Sequence, residues 1–160
     1  MKAAAFTYDP PLKEAFISED GLYRYWLTRV WDDKLPFLLW LMLNPSTADH
    51  KIDDPTIRRV ISFTRAWGYG GAVVANMCAY RSAYPEDLIT AQKQGINIVG
   101  PENYLHMKDL VKGNDVIVGW GANAAILPGP AAAICSLLQE AKPTNVWHLG
   151  LSKDGHPKHP

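Results

Sequence analysis

The chain has 160 residues, 48% of them hydrophobic, which suits one compact domain with a sizeable core. Sixteen basic residues balance sixteen acidic ones, so the basic excess that usually marks a nucleic-acid-binding domain is missing. Cys78 and Cys135 lack Cys-x-x-Cys spacing, which excludes a zinc knuckle or redox motif and leaves two buried free thiols as the expectation.

The N-terminus lacks the apolar stretch of a signal peptide. The longest apolar run, around Leu35 to Leu43, is too short to span a bilayer and contains Pro36. A soluble cytoplasmic protein with no membrane contact is expected.

Residues 1–20 have little periodicity, and Pro10-Pro11 argues for an irregular lead-in. Phe16-Ile17 and Tyr23 to Val30 flank Ser18-Glu19-Asp20-Gly21, where Asp-Gly is turn chemistry. Two antiparallel strands leading into a main sheet are predicted. The run Phe37 to Leu43 has no polar alternation, as in a parallel strand covered on both faces. It stops at Asn44-Pro45-Ser46-Thr47-Ala48-Asp49. Asp54 then caps a helix with Pro55 at its first position. Ile57, Val60, Ile61, Thr64 and Trp67 fall on one helix face, and Arg58, Arg59, Ser62 and Arg65 on the other.

Ala72 to Met77 reads as a second buried strand. Glu86 to about Gln94 is a short helix, and a further helix starts at Gly100-Pro101-Glu102-Asn103 and ends at Gly113. Asp115 to Val118 is a third strand, ending at Gly119-Trp120-Gly121. Pro130 to Ala141 is a helix, and Val146 to Leu151 a fourth strand running into Ser152 to Pro160. This alternation predicts an α/β fold in one domain: a three-layer α/β/α sandwich with a mostly parallel four-stranded central sheet and N-terminal antiparallel strands.

Ligands of open α/β sheets bind beyond the carboxyl ends of the strands. There the sequence sets Asn44-Pro45-Ser46, Asn76-Met77-Cys78, Gly119-Trp120-Gly121 and the loop from His156 to His159. The Asn44 amide can position water or read a base edge, or it can simply hold a turn before proline. Among Asp49, Asp53 and Asp54, Asp54 is read as a helix cap and Asp53 as a solvated neighbour. Asp49, with no evident structural role, is the preferred acid–base residue.

Gly119 to Ala124 fits Gly-x-Gly-x-x-Ala loosely. It falls at the third strand, and Pro128 and Pro130 are expected to break the helix a dinucleotide site needs. Close backbone packing is the better use of these glycines. His148, His156, His159 and Asp154 lack the helical or hairpin context that would converge them on a metal. No metal or cofactor is expected.

Several motifs in order resemble a bacterial and phage family of unknown function. They are Asn44-Pro45-Ser46-Thr47-Ala48-Asp49, Asp54-Pro55-Thr56, Val99-Gly100-Pro101-Glu102-Asn103 and Lys153-Asp154-Gly155-His156-Pro157, and the likeness covers about residues 20–160. A more distant resemblance is to the mismatch-specific branch of the uracil-DNA glycosylase superfamily, whose four-stranded parallel sheet is sandwiched by helices. That branch ends its first core strand in Asn-Pro-Gly, where this chain has Asn44-Pro45-Ser46. Its second motif is similar to Ala75-Asn76-Met77-Cys78-Ala79-Tyr80-Arg81, and its DNA-wedging His-Pro loop to Gly155-His156-Pro157.

The resemblance implies a uracil-DNA-glycosylase-like fold and a nucleobase-directed N-glycosidic hydrolase acting on a modified or mismatched base in DNA. Asn44 would orient the attacking water, Asp49 would help deprotonate it, and a protonated His156 would steady the departing base. Pro45, Ser46 and Asn76 would contact the base, with Tyr80 or Trp120 stacking on it. Pro157 would touch the strand, and Arg58, Arg59, Arg81 and Lys153 would meet phosphates. The alternative is a non-catalytic module on the same fold that binds a nucleotide, a nucleobase or a protein partner.

Overall fold

The computed structural model describes residues 11–160. Six strands form one sheet: β1 (Leu12–Ile17), β2 (Arg24–Val30), β3 (Phe37–Met42), β4 (Gly71–Asn76), β5 (Asp115–Val118) and β6 (Asn145–His148). The helices among the described residues are α1 (Pro55–Ala66), α2 (Glu86–Lys93), α3 (Asn103–Val111) and α4 (Pro128–Ala141), with a 3-10 segment at Ala122–Ile126. The strand order is β1-β2-β4-β3-β5-β6. β4, β3, β5 and β6 are parallel, while β1 and β2 add antiparallel strands beside β4.

Alternation along the strands builds a core on each face. Leu39, Leu41, Val73, Ala75, Val116 and Val118 point to one side, where Leu88 of α2, Met107 of α3 and Ile134 of α4 cover them. Leu38, Trp40, Met42, Ala72, Val74 and Ile117 point to the other, under Ile57 and Val60 of α1. The sheet therefore lies between helices, as the unbroken apolar run of β3 requires. Each such side chain contributes roughly 1.5–3 kcal/mol on burial. Trp40 is fully buried, and its indole N–H is satisfied by donating to Thr64 Oγ1 of α1 at 3.0 Å.

Three expectations need correction. The irregular lead-in ends earlier than predicted: Leu12–Ile17 is a strand, with Leu12 opposite Val30. As an edge strand it is partly exposed on both faces, so its alternation is faint; residues 1–10 lie outside the described residues. Pro128 and Pro130 do not break α4 but open it, since the first turn of a helix needs no N–H from them. Cys78 is buried, but Cys135 is exposed on α4. An apolar stretch in a helix still leaves one face in water.

Candidate functional site

In chain order the parallel sheet steps from β3 to β4 on one side, then crosses back to β5 on the other. The gap beyond the carboxyl ends of β3 and β5 is thus the topological switch point, where a crevice opens. A cavity of about 450 Å³ lies there. Met42, Leu43, Asn44 and Ser46 line it after β3, Asp54, Thr56 and Ile57 at the start of α1, and Trp120 to Asn123 after β5. Arg24, Ser82, Ala83, Pro85 and His159 complete the wall. A second cavity of about 330 Å³ lies at the opposite edge, around Leu35 to Phe37 and Asn114-Asp115. It sits at the amino ends of β3 and β5, away from the switch point.

Asn44 is fixed by its amide nitrogen, which donates to the Ser82 carbonyl at 2.9 Å and the Pro45 carbonyl at 3.2 Å. The backbone N–H of Ser82 returns a bond to the Pro45 carbonyl at 2.9 Å. Both amide hydrogens are spent on holding the loop, so the acceptor oxygen Oδ1 is the part of the side chain left for the cavity. The turn-holding and functional uses of Asn44 are therefore combined in one side chain.

The aspartates divide differently from the prediction. Asp49 holds its own loop in shape, because its Oδ1 accepts from the backbone N–H groups of Lys51 (2.7 Å) and Ile52 (2.8 Å). Those bonds hold its carboxyl below the usual carboxylate range, which makes it a weak base, and it does not line the cavity. Asp53 is no free neighbour either, since it pairs with Arg29 Nε at 2.7 Å and Lys13 Nζ at 3.2 Å. Asp54 does cap α1, accepting from Ile57 N at 2.8 Å through Oδ1. That bond uses one carboxylate oxygen, and Asp54 is the carboxylate in the cavity lining.

Arg24, not among the residues expected from the sequence, is the most buried cation in the site at 2% exposure. Its Nη1 donates to the Ala48 carbonyl at 2.9 Å and its Nη2 reaches Asn76 Oδ1 at 3.4 Å, while Nε has no partner. Burial lowers its pKa to about 10, with Asp54 opposing that shift and Arg81 and Arg29 adding to it. The guanidinium stays charged at neutral pH. A charged residue within an aromatic-rich strand (Tyr23, Tyr25, Trp26) was the signal available for it.

Of the remaining predicted residues, Ser46 and Trp120 line the cavity. Asn76 is 1% exposed and lies behind Arg24 as its partner. Pro45 and Pro157 are buried and act through their carbonyls, that of Pro157 accepting from Gly121 N at 2.9 Å. That contact brings the C-terminal loop across the strand end, and it is His159, not His156, that reaches the wall. Gly121 makes the approach feasible: its φ is +77°, and a Cβ there would stand 3.2 Å from His159 Cβ.

Tyr80 pairs with Tyr23 in an isolated β-bridge and Arg81 donates to the Gly21 carbonyl at 3.2 Å, and neither lines the cavity. Arg58, Arg59 and Lys153 are exposed and outside the lining. Among the described residues, no group of three or more His, Cys, Asp or Glu is placed to hold a metal ion. No helix of the described residues is long and apolar enough to cross a membrane.

The sequence matches the DUF1643 family of proteins of unknown function over residues 24–160. The chain belongs to that family. No curated protein and no solved structure matches it. The DUF1643 span opens at Arg24 and contains every residue of the cavity wall, whereas β1 falls outside it.

Proposed function

We propose that the cavity is the active site of a DNA-glycosylase-type hydrolase, which cleaves the N-glycosidic bond of a modified or mismatched base. The observation that carries this reading is the meeting of an Asn44 acceptor oxygen, the Asp54 carboxylate and the Trp120 ring around one cavity at the switch point. Its volume of about 450 Å³ suits a flipped base, which must leave the stack before its glycosidic bond can be reached.

In this scheme water donates one hydrogen bond to Asn44 Oδ1, which turns its lone pair toward the sugar C1′. As the oxygen attacks, the C1′–N bond breaks and its electron pair leaves on the base. The water's proton passes to Asp54, which takes the role first given to Asp49. Trp120 supplies a flat wall for the base, and His159, in place of His156, stands at the rim. Asn-Pro at the end of the first parallel strand and a His-Pro loop after the last support the likeness to uracil-DNA glycosylases. The helix-covered parallel sheet also agrees with it.

One observation favours a second reading, a module that binds a free nucleotide or nucleobase without cleaving it. The formal charge is zero, and Arg58, Arg59 and Lys153 stand outside the cavity wall, whereas affinity for DNA rests largely on phosphate contacts. Abasic-site formation on oligonucleotides carrying normal, deaminated and modified bases separates the two. The hydrolase releases a base and leaves an abasic site. The binding module leaves every oligonucleotide intact.

A further inference from the structure

Among the described residues, the two buried polar atoms of the cavity wall that lack partners are both donors. They are Arg24 Nε and Trp120 Nε1; behind the wall, the linked pair Asn76 and Asn103 leaves one donor, Asn76 Nδ2, and one acceptor, Asn103 Oδ1, unpaired. An unpaired buried donor costs about 1–3 kcal/mol, more when it is charged. Two in one wall make an expensive arrangement, and the cost is relieved by a group that accepts without donating. Arg24 is also built in rather than incidental: Ala48 and Asn76 each take one of its hydrogens, which fixes its plane and leaves the rest of the fork unused.

We propose that the cavity receives an acceptor-only, negatively polarised group of its ligand, and that Arg24 is the residue that meets it. This deepens the reading above, since a base leaving with the bond's electron pair is an anion, and Arg24 offers it a fixed cation. Asp54 shares the wall and offsets the charge of Arg24, so selectivity comes from directed hydrogen bonds rather than from a strong positive field. A neutral edge that presents N–H groups gains nothing from these two donors and is left to Asn44 Oδ1 and the Asp54 carboxylate, which the proposed reaction gives to the attacking water.

The chemistry has two sources, an oxygen-bearing anionic ring or a phosphate, and the test separates them. The full chain is titrated with barbiturate (a pyrimidine ring that is anionic at neutral pH), with cytosine (neutral, with a donating amino edge) and with inorganic phosphate. Binding is followed by NMR, including the Arg24 Nε–H resonance. Barbiturate should bind at least about tenfold more tightly than cytosine, the effect of one hydrogen bond to a charged group, and should shift that resonance.

Arg24→Gln should bring the two affinities together. Should that variant unfold, the wild-type preference and the Nε–H shift still decide the matter. Displacement of barbiturate by phosphate would assign the site to a phosphate, and retention would assign it to a ring edge. Equal affinity for the two rings, no binding of any probe, or a preference that survives in Arg24→Gln would overturn the proposal. Base release does not enter this readout. A preference without base release would remove the hydrolase and leave the acceptor site, and base release without a preference would do the reverse.

Discussion

Arg24 Nη2 lies 3.4 Å from Asn76 Oδ1, a contact that joins the start of the antiparallel strand β2 to the carboxyl end of the parallel strand β4. The same guanidinium holds the Ala48 carbonyl, so one buried cation ties together the sheet and the Asn44–Asp49 loop. Arg24→Met should therefore lower stability by about 2–4 kcal/mol, because it leaves buried acceptors on Ala48 and Asn76 without donors. Urea unfolding would measure it. An unchanged midpoint would mean that water satisfies those groups and that Arg24 is not structural.

Asp54 and Asp49 separate capping from chemistry. In Asp54→Asn the new amide oxygen can still accept from Ile57 N, so stability should change by no more than about 0.5 kcal/mol. Base release should fall by about 10²–10⁴-fold, the usual worth of a general base. Asp49→Asn should keep both its loop bonds and its activity. Single-turnover kinetics on the two variants reads the difference, and the opposite pattern would return the base role to Asp49.

Acid stability should follow Asp53. Burial raises its pKa, but the hydrogen bonds and charges of Arg29 and Lys13 outweigh that and hold it below its ordinary 3.8. A folded-state pKa below the unfolded one gives stability that is present above the unfolded value and lost as pH falls through the folded one. The chain should thus lose stability below about pH 4, and Asp53→Asn should flatten that loss. Unfolding midpoints from pH 6 to pH 2.5 would show it.

The two thiols should behave as different species. Burial pushes the Cys78 thiol up to about 12, whereas Cys135 is exposed on α4. A maleimide at neutral pH should label Cys135 alone in the folded chain, and Cys78 should react only after denaturant is added. Peptide mass spectrometry after brief labelling distinguishes them.

The motif around Gly100 should prove structural. Gly100 has a φ of +94°, and a Cβ there would meet Ala79, Tyr23 and Tyr25 atoms at 3.2 Å each. Just after it, fully buried Asn103 donates to the carbonyls of Asn76 at 2.9 Å and Met77 at 3.3 Å, which pins the end of β4. Gly100→Ala should cost about 1–3 kcal/mol from backbone strain and crowding together. Thermal unfolding would register the loss.

The sheet and its helices were legible because their signals are local: an apolar run, an Asp-Pro cap, glycines at helix ends. The alternation also pointed to the carboxyl ends of the parallel strands, where the cavity lies. What the sequence concealed depends on which way a loop turns. Asp49 looked idle because its partners are the backbone N–H groups of its own loop, which every residue has. Asp54 looked fully used because a cap is easily read as an exclusive role, although it occupies one oxygen of two. His156 and His159 both flank prolines, and only the packing of Pro157 against Gly121 decides which one reaches the cavity. Arg24 carries no motif, and its burial depends on the loop through Ala48, whose carbonyl it holds.

The proposed glycosylase chemistry at Asn44 is tested most directly by abasic-site formation on a panel of base-modified oligonucleotides, with the intact chain and Asn44→Ala measured side by side. Base release is expected from at least one substrate, and it should vanish in Asn44→Ala while that variant stays folded by circular dichroism. A folded wild-type chain that releases no base from any substrate, or an Asn44→Ala variant as active as wild type, would refute the assignment.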